Sequence, residues 1–242
     1  MSAYTQSQRY RRCQALFDRR YPNFVNAGER YAQWLAAALT PDSTLLDLGC
    51  GRDSLAAEAI RRAARSVGID LVADDLRRNR VVQLPVLATA YRLPFRAERF
   101  DVIASQWVVE HLSQPERTFD EMARVLRPHG KVILLTTNAH NYVPLLSRLL
   151  PEAARRLALN RLLRRPAHES HPTFYRANTR RALNRLAERS GLRLEQLEFI
   201  GNPFYMAFSV PLFRLALLYE RLTDSPRLRC LKLYILARLA KA

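Results

Sequence analysis

Two short segments carry residues whose types and spacing could do chemistry. In Leu45-Leu46-Asp47-Leu48-Gly49-Cys50-Gly51 an apolar run closes on a turn with two glycines. Nineteen residues after Gly51, a second apolar run, 66–70, ends on the carboxylate of Asp70. Glycines let backbone approach a ligand closely. A carboxylate ending the second strand of an alternating sheet can accept hydrogen bonds from ribose hydroxyls. The pair points to a nucleoside, but not to a dinucleotide. The third glycine of G-x-G-x-x-G is replaced by Ser54, and the Asp47 carboxylate would repel a pyrophosphate. Asp47 suits a ligand that carries an ammonium and a sulfonium and no phosphate.

The surrounding elements must present these residues on one edge of a sheet. Residues 4–39 read as helix, punctuated by Pro22 and Gly28. Strands are expected at 44–48, 66–70, 86–88, 100–105 and 131–137, with helices between them. One helix is expected to start at a Ser113/Glu116 capping box and to stop at Pro128-His129-Gly130. Strands alternating with helices imply a mostly parallel sheet covered on both faces. Residues 144–165 read as an arginine-rich helix and 166–178 as a loop. A helix from 179 ends at Gly191, and strands are expected at 193–200 and 204–210. The tail from Leu212 reads as a basic amphipathic helix, because Leu228, Leu231, Ile235 and Leu239 share a helical stripe.

LLDLGCGRD at 45–53, GIDL at 68–71, LPF at 93–95, FDVIASQWVVEHL at 100–112 and RVLRPHGKVIL at 124–134 occur in this order. Over about residues 40–138 the chain resembles the class I S-adenosylmethionine-dependent methyltransferases, type 11-like members included. That resemblance implies an α/β fold: a doubly wound, mostly parallel seven-stranded sheet with its last strand antiparallel, extended by helical N-terminal and C-terminal additions. It implies S-adenosylmethionine as cofactor. Asp47, Gly49 and Gly51 would line its methionine end, with Cys50 in the same turn. Asp70 would hold the ribose and Leu71 would lie against the adenine. Thr89, just ahead of Ala90, stands where the family often has an acidic residue for the adenine amino group. Ser105, Gln106 and Trp107 would flank the methyl group, with Gln106 donating to the cofactor carboxylate. His111 is the candidate general base. E-H-L recurs in that family across different chemistries, which favours a positioning role for it.

Composition narrows the rest. The net charge is +17, and residues 148–242 hold 19 basic and 7 acidic side chains. Such a field attracts polyanions, although nearly all the basic residues are arginine, as genomic bias would also produce. Cys13, Cys50 and Cys230 form no CxxC pair and no zinc spacing. His168-Glu169-Ser170-His171 lacks the i, i+4 spacing of a helical zinc site, so no metal is expected. No secretory leader and no membrane span are read, and a cytoplasmic location, peripheral on the inner membrane face, is the expectation. The expected organisation is a helical cap at 1–40, a methyltransferase domain at 41–211 with a helical insertion at about 142–178, and the basic tail at 212–242. The expected activity is O-methylation of a small, lipid-linked or glycan-linked acceptor, with an anionic membrane surface as a further partner. The alternatives are an RNA methyltransferase and a non-catalytic cofactor-binding scaffold, the latter kept open by Thr89. Nucleic acid ranks behind membrane because no aromatic-interleaved basic platform is visible.

Overall fold

A computed structural model describes residues 8–149 and 172–241, which fall into two compact units. The larger unit holds residues 27–139, 172–198 and 234–241. Its sheet is built from β1 (Thr44–Leu48), β2 (Arg65–Asp70), β3 (Leu84–Leu87), β4 (Phe100–Gln106), β5 (Leu126–Thr137), β6 (Leu192–Ile200) and β7 (Tyr234–Lys241). The order is β3-β2-β1-β4-β5-β7-β6. Neighbours from β3 to β5 pair in parallel, and β7 runs antiparallel to β5. Strands covered on both faces need apolar residues at every position. Leu45, Leu46 and Leu48 of β1 and Val132 to Leu135 of β5 are all buried. The chain leaves β1 toward β2 and β3, then returns to β4 on the other side of β1. That reversal opens a crevice at the carboxyl ends of β1 and β4.

Helices α1 (Gln8–Arg20), α2 (Ala27–Ala38), α3 (Ala57–Arg61), α4 (Ala73–Arg78), α5 (Pro115–Val125), α6 (Tyr142–Leu149), α7 (Arg180–Arg189) and α8 (Val210–Thr223) complete the described elements. Within the larger unit, α2 packs on β5 and β7, α4 on β2 and β3, and α5 on β5 and α7. Gly68 in β2 allows a close approach of the turn that follows β1. A Cβ there would meet the Cys50 Sγ at 2.6 Å and Val82 Cγ2 at 2.8 Å.

The smaller unit holds α1, α6 and α8 with the segment leading to residue 233. Its core is Cys13, Phe17, Ala207 and Phe213, with Phe204 against both phenylalanines. Tyr219 Oη donates to the Leu231 carbonyl (2.6 Å), which also accepts from Asn141 Nδ2 (2.8 Å). Glu220 is buried, and burial holds its carboxyl above the usual range despite Lys232 at 3.5 Å.

Several expectations are corrected. Residues 212–242 are not a helical tail: α8 ends at Thr223, and 234–241 form β7 inside the sheet. Ile235 and Leu239 are fully buried beside β5, not on a surface stripe. The spacing 228, 231, 235, 239 fits a helix, but the run Leu233 to Ala240, apolar except at Arg238, also fits a strand buried on both faces. Residues 204–210 are not a strand either. Pro203–Met206 is a 3-10 turn, and Ser209 caps α8 by accepting from Leu212 N at 3.3 Å, with Pro211 in the first turn. Nor does Ser113 cap α5, which starts at Pro115. Its amide and hydroxyl instead bond Tyr91 Oη, at 2.9 and 3.1 Å. Of the expected insertion, Tyr142–Leu149 is helical, while residues 150–165 and the His168, Glu169 and His171 cluster lie outside the described residues.

The position of β7 makes its side chains core residues. Leu236 is fully buried and pairs with Leu135. Leu236→Ala should lower the unfolding free energy by about 2–5 kcal/mol, measured by urea denaturation. A chain ending at Leu233 should lose cooperative unfolding altogether. Unchanged denaturation of either protein would contradict the placement of β7.

Candidate functional site

The glycine turn after β1 is held from three sides. Gly49 N and Cys50 N both donate to Ile69 O of β2, at 2.8 and 2.9 Å. Gly51 N donates to Asp70 Oδ2 at 2.9 Å, while Asp70 Oδ1 accepts from Val72 N at 2.9 Å. Asn79, buried after α4, donates from Nδ2 to Gly51 O at 2.8 Å, and its Oδ1 accepts from the amides of Val81 and Val82. Gly49 and Gly51 have φ of 76° and 47°, which favours glycine. At Gly49 a Cβ would collide with Val108 Cγ2 at 2.2 Å, whereas at Gly51 it would meet nothing within 4 Å. Gly49 therefore serves packing, and Gly51 keeps backbone open to a ligand.

Asp47 lies beneath this turn, fully buried, and neither carboxylate oxygen has a hydrogen-bond partner. Burial, and then the Asp70 charge, raise its carboxyl to about 7. The Ser105 hydroxyl near the end of β4 is likewise buried without a partner, and the Tyr31 hydroxyl of α2 is buried against the Ser105 backbone. The Tyr31 phenol is pushed well up by burial and then by the Asp47 charge, which places the two groups in electrostatic reach. Cys50 is buried and raised to about 12 by burial, Asp47 and Asp70, so its thiol is a packing group against Gly68 rather than a nucleophile. A buried carboxylate with no donor is costly. A cation at the turn would relieve it, and an ammonium-bearing nucleoside fits this set: Asp47 for positive charge, Gly51 for close backbone approach, Asp70 at the end of β2 for hydroxyls.

The predicted adenine-side residues line the loop edge. Leu71 is 70% exposed directly after Asp70. Thr89 and Ala90 are half-buried after β3, and the Thr89 hydroxyl accepts from its own turn, at Tyr91 N (3.3 Å). Gln106 is engaged differently from the expectation. Its Oε1 accepts from Leu55 N (3.0 Å) and its Nε2 donates to Asp53 O (3.3 Å), so the amide braces the loop after the glycine turn.

Beyond β4 the chain turns sharply at Trp107, whose φ of 57° is unusual for an aromatic residue. Its N–H donates to Leu135 O, and its ring meets Tyr234 edge-on at 4.8 Å. Strain of this kind gathers at functional sites. Glu110 is buried on the same turn. Its carboxylate accepts from the hydroxyls of Thr136 (2.6 Å) and Thr137 (3.1 Å), and burial raises it. Its carbonyl accepts from Phe174 N (2.8 Å) and Tyr175 N (3.2 Å). Asn178 Nδ2 donates to Thr136 Oγ1 (2.7 Å) and Thr137 O (2.8 Å), and its main-chain carbonyl accepts from Ala139 N (2.8 Å). His111 Nδ1 bonds Pro172 O at 2.8 Å. A carbonyl only accepts, so Nδ1 carries the proton and Nε2 is the basic nitrogen. Segment 172–178 is thereby pinned to the end of β5.

The structure thus gathers Asp47, Gly49, Cys50, Gly51, Asp70 and Ser105 at the carboxyl ends of β1, β2 and β4, with Leu71, Thr89 and Ala90 on the loops beside them. Sequence reasoning missed Tyr31, Asn79 and Asn178. Tyr31 sits in an ordinary amphipathic pattern, and nothing in its spacing marks a buried hydroxyl. Asn79 follows a helix, where asparagine reads as a stop signal. Asn178 lies in a loop-like stretch before an N-cap threonine, where polar residues are expected.

A family model described as "Methyltransferase domain" matches residues 46–134. The chain is 30% identical over 178 residues to a ubiquinone biosynthesis O-methyltransferase of Chromobacterium violaceum, covering 69% of this chain and 72% of that protein. It is 35% identical over 109 residues to an uncharacterized methyltransferase of a Mycobacterium species, covering 43% of each. Among solved structures, an S-adenosylmethionine dependent methyltransferase from Mesorhizobium loti aligns with TM-score 0.56 at 18% identity, over 87% of this chain and 98% of that one. Geranyl diphosphate C-methyltransferase from Streptomyces coelicolor, in complex with Mg2+, geranyl diphosphate and S-adenosyl-L-homocysteine, aligns with TM-score 0.57 at 18% identity, over 88% and 77%. At these identities the solved structures speak for the fold alone. Together with the Chromobacterium relative, matched over 72% of its length, and the matched domain, the glycine turn and its buried acid identify the chain as a member of the class I S-adenosylmethionine-dependent methyltransferases.

Proposed function

We propose that this methyltransferase carries a methyl group to an oxygen of a small acceptor of lipid-linked or glycan-linked type. The observation that carries the cofactor half of this reading is Asp47, a fully buried carboxylate without a partner beneath an open glycine turn. The acceptor half draws on the similarity to an O-methyltransferase and on the aromatic wall of Trp107 and Tyr234 after β4. When bound, S-adenosylmethionine supplies a methyl group already activated by its sulfonium. The chain's own task is then alignment and exclusion of water. Asp47 answers the ammonium, Gly51 presents backbone beside the packed Gly49 and Cys50 of the same turn, and Asp70 takes the ribose. Leu71, Thr89 and Ala90 flank the adenine, while Ser105 and Gln106 hold the turn side of the site. We assign His111 a positioning role at the acceptor wall, where its Nδ1–H ties Pro172 O to the turn after β4.

Three measurements test this reading. Methyl-labelled S-adenosylmethionine, offered with separate lipid, glycan and RNA extracts, should label the lipid or glycan pool; label in RNA alone would overturn the acceptor class. Asp70→Ala should weaken calorimetric binding of S-adenosylhomocysteine by about 1.5–3 kcal/mol, and parental affinity would remove the ribose assignment. His111→Ala should lower turnover by less than about 10²-fold with cofactor affinity unchanged. A larger loss accompanied by the disappearance of one limb of the pH–rate profile would make it the general base.

Asp47 gives a pH prediction with a definite sign. Its folded carboxyl is raised from 3.8 to about 7. The stability tied to its protonated form is complete below the unfolded value and is lost as pH rises through about 7. In the ligand-free protein, Asp47→Asn should therefore melt higher than the parent above pH 7 (a margin that shrinks as pH falls toward 4). The same substitution should weaken cofactor binding at pH 8, where the parent's carboxylate is ionised. A thermal scan showing the same gap at every pH would refute the buried ionisation.

A further inference from the structure

The smaller unit presents a leucine face that its own core does not use. Helix α8 buries Phe213, Ala216, Glu220 and Thr223. At about 100° per residue these fall within roughly 80° of arc. Leu212, Leu215, Leu218 and Leu222 occupy a second arc of roughly 120°, and they are 38%, 62%, 51% and 54% exposed. Arg214 and Arg221 follow next around the helix, both exposed. The following turn adds Arg227, Leu228 and Arg229, exposed as well. The acids nearby are spent internally: Lys232 bridges Glu220 (3.5 Å) and Asp224 (2.7 Å). Among the described residues, none of the four arginines lies in an ion pair. The surface is therefore apolar along one stripe and cationic along its border.

Charge selects the occupant. A second copy seated on this face about a two-fold axis would bring the same arginines together, a repulsion that no acid on the face offsets. A single-stranded nucleic acid favours aromatic stacking platforms between its basic residues, and here the residues are leucines. A lipid interface satisfies both halves at once: leucines enter the boundary between headgroups and acyl chains, and arginines meet lipid phosphates. Among the described residues no helix is long and apolar enough to cross a membrane, so the contact would be in the plane of the interface. We propose that α8 is an interfacial docking helix for anionic membranes, with Leu212, Leu215, Leu218 and Leu222 as its inserting edge and Arg214 and Arg221 as its phosphate contacts. This goes beyond the methyl-transfer reading and does not depend on it.

The test is vesicle co-sedimentation of the full chain, with phosphatidylcholine alone and with phosphatidylglycerol added, at low and high salt. The parent should sediment with the phosphatidylglycerol vesicles. Arg214→Gln with Arg221→Gln should lower its partition coefficient about 30-fold at low salt, at about 1 kcal/mol per arginine. Leu215→Gln with Leu218→Gln and Leu222→Gln, all on exposed positions, should abolish the fraction that stays bound at high salt. Both variants should keep the parent's melting temperature and its calorimetric affinity for S-adenosylhomocysteine, which separates loss of docking from loss of the enzyme site. Three results would overturn the proposal: a parent that stays in the supernatant with every vesicle, leucine variants that bind like the parent, or leucine variants that turn a dimeric parent into a monomer by light scattering.

Discussion

A carboxylate buried without a donor is the constraint around which this protein is organised. In a medium of low dielectric, an uncompensated charge is far more costly than in water. Asp47 stays in place because β1 is central and its neighbours are fixed by parallel pairing to β2 and β4. Its field reaches outward, raising Tyr31 and Cys50. The folded state thus stores at Asp47 an unfavourable interaction that a positively charged ligand removes. Stability is given up at the point where binding needs it, which is a common arrangement at functional sites.

The rigidity of that point comes from side chains that bond the surrounding backbone. Asn79, Gln106 and Asp70 spend their polar atoms on backbone of the loops around the glycine turn. On the other side of β4, the Glu110 and Asn178 hydrogen bonds hold segment 172–178 to the end of β5. Groups that fix backbone in this way preorganise a site, so that less order must be imposed when a ligand arrives.

How much of this was legible follows from what each signal reports. The two-glycine turn and Asp70 were readable because glycine spacing and a strand-ending acid reflect backbone geometry directly. The parallel order up to β5 followed from alternating strand and helix patterns. The strand β7 was not readable, since Tyr234 to Lys241 is apolar at nearly every position and periodicity cannot separate a buried strand from a helix. The same ambiguity made 204–210 look like a strand, although Ser209 and Pro211 together form a helix start. Tyr31 and Asn178 act through burial and distant partners, and neither property leaves a local trace. The tail was expected to be helical from Leu212 to its end, but the helix α8 stops at Thr223: the exposed leucines belong to α8, while Ile235 and Leu239 lie in the sheet core.

The place of β7 also bears on the order in which the chain can fold during synthesis. It separates β5 from β6, although it leaves the ribosome after both. Until residues 234–241 emerge, β5 has no partner on that side and β6 has no strand to join. A nascent chain would therefore hold a five-stranded half-sheet with an open, strongly aliphatic edge, the kind of edge that recruits other chains. The final pairing is also long-range, because β7 meets a strand about a hundred residues earlier, and such closures are slow. Emergence of residues 234–241, rather than completion of the glycine turn, would then be the step that commits this protein to its native sheet.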